Sequence, residues 1–126
     1  MSANPTGNPT VAEIAAARDR LGDLVRETPV HQWLGPEIEA LAGAGTEIFL
    51  KLETLQPIGS FKIRGAYNVV RQLSRHELKD GVWTVSAGNA AQGVAFAASS
   101  VGVPCSVMVM DTAPEAKLEA ISRLGA

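Results

Sequence analysis

From residue 47 onward, short apolar runs alternate with helix-patterned stretches, and that order leaves few folds open to the chain. Residues 47–53 place Ile48, Leu50 and Leu52 on one side and Phe49, Lys51 and Glu53 on the other, the period of two expected of a strand. Gln56, Pro57, Ile58 and Gly59 break it, and Ser60 can then cap a helix running to about Leu73. Val82, Trp83, Thr84 and Val85 predict a short buried strand, residues 86–89 a tight turn, and the small residues of 90–100 a helix. After a turn over 101–104, the apolar run 105–110 predicts another strand. Thr112 and Glu115 have capping-box spacing, opening a helix to Leu124 with Gly125 as its stop. Strand, helix, strand, helix with short links argues for an α/β fold whose open sheet is mostly parallel, with right-handed crossovers. Such a sheet needs helices on both faces, and two strands do not make a stable sheet alone. A further strand is expected after Gly125, so the pattern predicts a piece of something longer. No internal repeat is visible.

The earlier residues are less regular. Residues 1–10 are polar with two prolines and predict a floppy arm, not a secretory segment. Thr10 and Glu13 form a capping box, and Ile14, Arg18, Leu21 and Val25 follow at helical spacing. Thr28 and Pro29 end that helix. A second helix is expected over 36–41, then a turn at 44–46.

Composition narrows the class of function. Hydrophobic residues make up 46% and charged residues 19%, a globular balance. With 11 basic and 13 acidic residues the net charge is −2, which attracts neither nucleic acid nor an anionic membrane. No apolar run approaches the ~20 residues a membrane span needs, so a cytoplasmic protein is expected. The single cysteine, Cys105, permits no intrachain disulfide and no cysteine-rich metal site. It lies in an apolar run, which predicts a buried small hydrophobe rather than a nucleophile. His31 and His76 lack ligand-spaced companions, so no metal is expected.

Two stretches carry chemistry. Gly59-Ser60-Phe61-Lys62-Ile63-Arg64-Gly65-Ala66 sets a lysine in the first turn of a helix. The helix N-terminus disfavours an ammonium there by a few tenths to about 1 kcal/mol. An amine held less cationic is a better nucleophile toward a carbonyl, which suits a Schiff-base lysine. A surface lysine on an ordinary helix fits the same residues. Arg64 could pair with an acidic residue or hold the loop, and the sequence leaves both open. The second stretch, Ser86-Ala87-Gly88-Asn89, joins a strand end to a helix start, where open α/β sheets bind ligands. Its backbone N–H groups can hold a carboxylate. A plain strand-to-helix turn capped by Asn89 fits the same residues.

Taken together, S-F-K-I-R-G-A-Y-N and S-A-G-N-A-A-Q-G-V-A resemble the motifs of fold-type II pyridoxal-phosphate enzymes, the tryptophan synthase beta-like class. The resemblance runs from about Arg26 to Ala126 and is nearest to threonine/serine dehydratases and serine racemases. Cysteine and threonine synthases usually carry K-D-R at the lysine, unlike Lys62-Ile63-Arg64 here. The resemblance implies pyridoxal 5'-phosphate as cofactor. Lys62 would bond to it and shuttle the substrate Cα proton, Phe61 would pack on its ring, and Asn89 would hydrogen-bond its ring hydroxyl. Ser86, Ala87, Gly88 and Asn89 would hold the substrate carboxylate. The implied reaction removes water and ammonia from L-threonine or L-serine to give a 2-oxo acid. Where the family usually has histidine after the asparagine, this chain has Ala90. Racemases carry a serine at the position of Ala87, and alanine cannot move a proton, so elimination is favoured.

The resemblance further implies that residues 11–76 belong to a large cofactor-binding domain and that 77–126 begin a smaller α/β domain. The family's phosphate-binding loop would lie beyond Ala126; Gly43-Ala44-Gly45 has no helix behind it to serve that purpose. The chain alone is therefore expected to be inactive or nearly so. A small hydroxy amino acid is the expected partner, with a homo-oligomer formed at full length or the missing half supplied in another way. A non-catalytic fragment completed by a partner chain remains an alternative, as does a serine racemase or a lyase for another hydroxy amino acid.

Overall fold

The computed structural model describes residues 7–43 and 45–126. Residues 1–6 of the expected arm, and Ala44 of the expected turn, lie outside the described residues. Helix α1 (Val11–Leu21) starts as the sequence requires. Thr10 Oγ1 accepts the Glu13 N–H at 3.2 Å, and the Glu13 carboxylate accepts the Thr10 N–H at 2.7 Å. Strand β1 (Val30–Gln32) follows, then α2 (Pro36–Ala42) with proline in its first turn, and β2 (Phe49–Lys51). The remainder is α3 (Lys62–Val70), β3 (Val82–Val85), α4 (Asn89–Val101), β4 (Cys105–Met108) and α5 (Glu115–Ser122).

The strands make two sheets of two. β1 and β2 pair antiparallel, with His31 opposite Leu50. β3 and β4 pair parallel through α4, with Val82 opposite Cys105 and Val85 opposite Met108. The βαβ reading of residues 82–108 is thus met, while the strand around Leu50 does not join it. That strand takes Val30–Gln32 as its partner instead, a segment too short and too polar to announce itself as a strand. It is also shorter than the alternation predicted, because its chain leaves into a single helical turn at Glu53–Leu55.

Several local expectations need correction. Thr112 and Glu115 form no capping box; Pro114 occupies the N-cap position of α5 without a side-chain bond. Ser60 is not the cap of α3, since Phe61 sits there, although Ser60 Oγ does accept the Lys62 N–H at 3.3 Å. α3 ends at Val70, before the expected Leu73, and β4 ends at Met108, before Met110. β3 is not a fully buried strand. Val82 and Thr84 lie half-buried on one face, while Trp83 and Val85, 73% and 63% exposed, project to the other face, which no described element covers.

Two clusters form the core. Ile63, fully buried, packs with Leu21 and Val25 and against Ile58, Tyr67 and Phe96. Burial of such a side chain contributes roughly 2–3 kcal/mol, and it pins the first turn of α3. Ala95, Ala98 and Cys105 form the second cluster with Val82, Val94, Val103, Val107 and Leu124. Burial pushes the Cys105 thiol up from its ordinary range, as expected of a packing residue. No helix among the described residues is long and apolar enough to cross a membrane.

Two glycines close the βαβ unit. Gly102 ends α4 at φ +74° in open space. Gly81, at φ +81°, lies so close to the Pro104 carbonyl that a Cβ there would overlap it, and the next residue, Val82, donates its N–H to that carbonyl at 2.9 Å. Gly102→Ala is expected to cost about 1 kcal/mol through backbone conformation alone. Gly81→Ala adds the overlap and is expected to cost about 2 kcal/mol or more. Urea unfolding of the two variants measures both, and equal losses would show that the Gly81 contact is not tight.

Candidate active site

The lysine-bearing stretch meets the helix that the 86–89 turn opens, because α3 packs against the first turns of α4. Gly93, one turn into α4, is the point of closest approach. A Cβ there would sit 3.1 Å from the Lys62 carbonyl oxygen and 3.3 Å from Ala66 Cβ. Ala91, Ala95, Ala97 and Ala98 on the same helix are also buried. The abundance of small residues in α4 therefore has a mechanical meaning: it lets one helix backbone lie against another.

Lys62 is the first residue of α3, and its neighbour Ile63 turns into the core while the lysine side chain stays exposed. Its ammonium lies 4.9 Å from the centroid of the half-exposed Phe61 ring, a cation–π contact. It makes no hydrogen bond and no ion pair among the described residues. Lys62 opens onto a groove of about 390 Å³ lined by Gly65, Ala66 and Val69 of α3, Val82 and Trp83 of β3, and Ala90 and Val94 of α4, among others. Apart from Lys62, the groove wall is almost wholly apolar. A larger hollow of about 670 Å³, walled by Arg18, Asp23, Arg26, Lys51 and Arg64, includes neither Lys62 nor the 86–89 turn.

The turn stands at the carboxyl ends of the parallel strands. Ser86 donates its N–H to the Met108 carbonyl at 3.2 Å, and its Oγ accepts the Gly88 N–H at 3.1 Å. Gly88 is the N-cap of α4 and Asn89 its first residue, with no side-chain cap. Asn89 is therefore not the capping residue; its amide is exposed and free of hydrogen bonds among the described residues. Ser86, Ala87 and Gly88 are half-buried. The structure places Lys62 and Ala90, which follows Asn89, on one groove, while Ser86, Ala87, Gly88 and Asn89 themselves do not line it.

Arg64 resolves the choice left open by the sequence, because it does both things. Its guanidinium grips Glu53 with two bonds, Nε to Oε2 at 2.8 Å and Nη2 to Oε1 at 2.8 Å, and Nη2 also reaches the Arg26 carbonyl at 3.3 Å. Glu53 Oε1 further accepts the Thr28 hydroxyl. Gln56, buried, closes the circle: its Oε1 accepts the Arg26 N–H at 3.0 Å and its Nε2 donates to the Arg26 carbonyl at 2.8 Å. The Arg64 hydrogen bonds hold the Glu53 carboxyl far below its ordinary range, at about 2, with Thr28 helping and burial opposing. Glu53 in turn makes Arg64 still harder to deprotonate.

These residues suit one end of a pyridoxal phosphate molecule. An uncommitted amine can reach an aldehyde, an aromatic ring and an apolar wall flank it, and a free amide stands at the adjoining helix start. No glycine-rich phosphate cradle accompanies them among the described residues. The family model for pyridoxal-phosphate dependent enzymes matches residues 21–126. The chain belongs to that family. Among the pyridoxal-phosphate enzymes it resembles the L-threonine ammonia-lyase of Thermotoga maritima, 52% identical over 82 residues that cover 65% of this chain and 20% of the relative. It resembles the biosynthetic L-threonine dehydratase of Mycobacterium leprae at 40% identity, covering 96% of this chain and 29% of the relative. The crystal structure of serine racemase from Dictyostelium discoideum superposes with a TM-score of 0.81 at 40% identity, over 93% of this chain and 37% of that one. The chain thus spans between a fifth and two fifths of the length of these relatives.

Sequence reasoning singled out Lys62 and the turn but missed Gly93, Glu53, Gln56 and Thr28. A glycine inside a helical pattern signals close backbone approach, so Gly93 was within reach. The partners of Arg64 were not, since nothing in the order of residues says which carboxylate an arginine will meet. Because the Glu53 carboxyl is depressed in the folded chain, its contribution is fully present above its ordinary value of 4.5 and is lost as pH falls toward about 2. With Arg64 partly in water the effect is expected to be of order 1–2 kcal/mol. Comparing urea midpoints at pH 6 and pH 3 checks this: the wild-type chain should lose more than Glu53→Gln across that interval. An equal loss in both would mean that the pair does not titrate as described.

Proposed function

We propose that this chain supplies the lysine-bearing part of a pyridoxal-phosphate-dependent ammonia-lyase that converts L-threonine or L-serine to a 2-oxo acid and ammonia. The observation that carries the reading is the shared groove: the free amine of Lys62 and Ala90, in the first turn of α4, line one space. The relatives named as threonine ammonia-lyase and threonine dehydratase support the same chemistry.

In this reading the cofactor, when bound, supplies the electron sink for cleavage at Cα. Lys62 would hold the cofactor and would take the substrate Cα proton at Nζ. Phe61 flanks its ring and Asn89 donates to its ring hydroxyl. Ser86, Ala87 and Gly88, with the first N–H groups of α4, receive the substrate carboxylate. As the Cα–H bond breaks, its electrons would form the Cα–Cβ double bond, the Cβ–O bond would break, and the proton taken up at Lys62 Nζ would pass to the departing hydroxyl, which leaves as water. The resulting enamine becomes an imine and adds water, which releases ammonia and leaves the 2-oxo acid. Ala87 brings no ionisable or hydroxyl group to the turn, which favours elimination over racemisation even though a serine racemase superposes well.

The phosphate cradle, and with it turnover, is assigned to sequence outside this chain, so the isolated chain should show no activity above that of free cofactor. Residues 11–76 and 77–126 are assigned to the larger and smaller domains of the complete enzyme. Homo-oligomeric assembly and a cytoplasmic location belong to the same proposal, the latter resting on a lone, buried, unpaired cysteine. The deciding experiment uses a protein in which this chain is continued by the missing part. Borohydride reduction should leave the cofactor covalently bound in the wild type and not in Lys62→Ala, and turnover of L-threonine should fall about a thousandfold or more. Undiminished covalent retention in Lys62→Ala would remove the basis of the reading.

A further inference from the structure

Lys62 is free to serve any purpose only if α3 is held at one rotation about its axis. Beyond the cation–π contact with Phe61, its neighbour at the start of the same helix, its side chain makes no polar contact, so its direction comes from the backbone beneath both residues. Residues 62 and 64 lie about 200° apart on a helix. Whatever grips Arg64 therefore turns Lys62 to the opposite side. Arg64 is gripped by both oxygens of Glu53, and through Nη2 also by the Arg26 carbonyl. Glu53 and Gln56 are themselves tied to Thr28 and to both backbone groups of Arg26. Two separated pieces of chain, 26–28 and 53–56, thus meet at the face of α3 that is turned away from the groove. From another side, the Gly93 backbone presses on the Lys62 carbonyl.

We propose that Arg64, with Glu53 and Gln56, is a positioning clamp that fixes the rotation of α3 and so aims the Lys62 amine into the groove beside Ala90. The clamp touches neither the amine nor the groove. It acts through the helix, in the same way that supporting hydrogen bonds orient a reacting group elsewhere. A guanidinium suits this purpose because two parallel N–H bonds to one carboxylate define a direction as well as a distance. The purpose of the aim rests on the lyase reading above; the aim itself does not.

The full chain provides a test that needs no activity. Reductive methylation with ¹³C-formaldehyde labels the chain's four lysines and keeps their charge. The Lys62 signal, assigned by its loss in Lys62→Arg and observed in a Phe61→Leu background that removes the neighbouring ring, should be displaced from those of Lys79 and Lys117 by the ring current of Trp83, which lines the same groove from β3 and does not turn with α3. In Arg64→Ala the displacement is expected to fall by about half or more, and in Arg64→Lys, which keeps the charge but not the planar fork, by less. Circular dichroism establishes that each variant is folded. An unchanged displacement in folded Arg64→Ala overturns the clamp. Should the alanine variant not fold, an unchanged displacement in Arg64→Lys overturns it equally. Cofactor trapping on Lys62 in the longer protein tests the lyase reading separately, so either idea can fail while the other stands.

Discussion

The contact on which the rest depends is backbone against backbone, where Gly93 of α4 lies on the carbonyl of Lys62. Hydrogen in place of a side chain lets two helix starts converge. Each start brings something different. α3 brings an amine, and α4 brings a first turn without a side-chain cap at the carboxyl ends of two parallel strands. Close approach converts two ordinary helix N-termini into the two sides of one groove. A larger residue at the contact would push the sides apart before it disturbed either motif.

Around that contact the molecule divides its labour between apolar and polar anchoring. Ile63 sets the depth of α3 by burying itself against Leu21, Val25 and Phe96. Arg64 sets its rotation through Glu53 and the Arg26 backbone. Hydrophobic burial is strong but has no direction, whereas paired hydrogen bonds to a carboxylate are directional. Lys62, beside Ile63 and Arg64 at the start of the helix, inherits a fixed origin and a fixed heading with no polar contact beyond the Phe61 ring. An amine left free in this way is suited to exchange one covalent partner for another.

The exposed side of the parallel pair has a different logic. Trp83, Val85 and Met108 present an apolar surface that nothing described here covers. Parallel strands are ordinarily buried on both faces, and the chain spans only a fifth of the Thermotoga relative and under two fifths of the superposed serine racemase. The βαβ unit has the geometry of a sheet interior while standing, in this chain, at a sheet surface.

Much was legible in the order of residues. The Thr10 and Glu13 capping box, the βαβ unit of 82–108 and a lysine in the first turn of α3 all follow from local rules, because neighbours along the chain suffice to produce them. Family membership was legible for the same reason, since the two motifs are contiguous. The failures share an opposite cause. β1 needed the distant Phe49–Lys51 to become a strand, and the Thr112 box lost to Pro114 at the N-cap position. Arg64 chose Glu53, eleven residues back, only after the chain had folded over Arg26. The sequence by itself determined which groups are present and which helix end carries the amine. Tertiary structure alone decided where that amine points, because direction is set by contacts between segments, and those form only when the chain closes on itself.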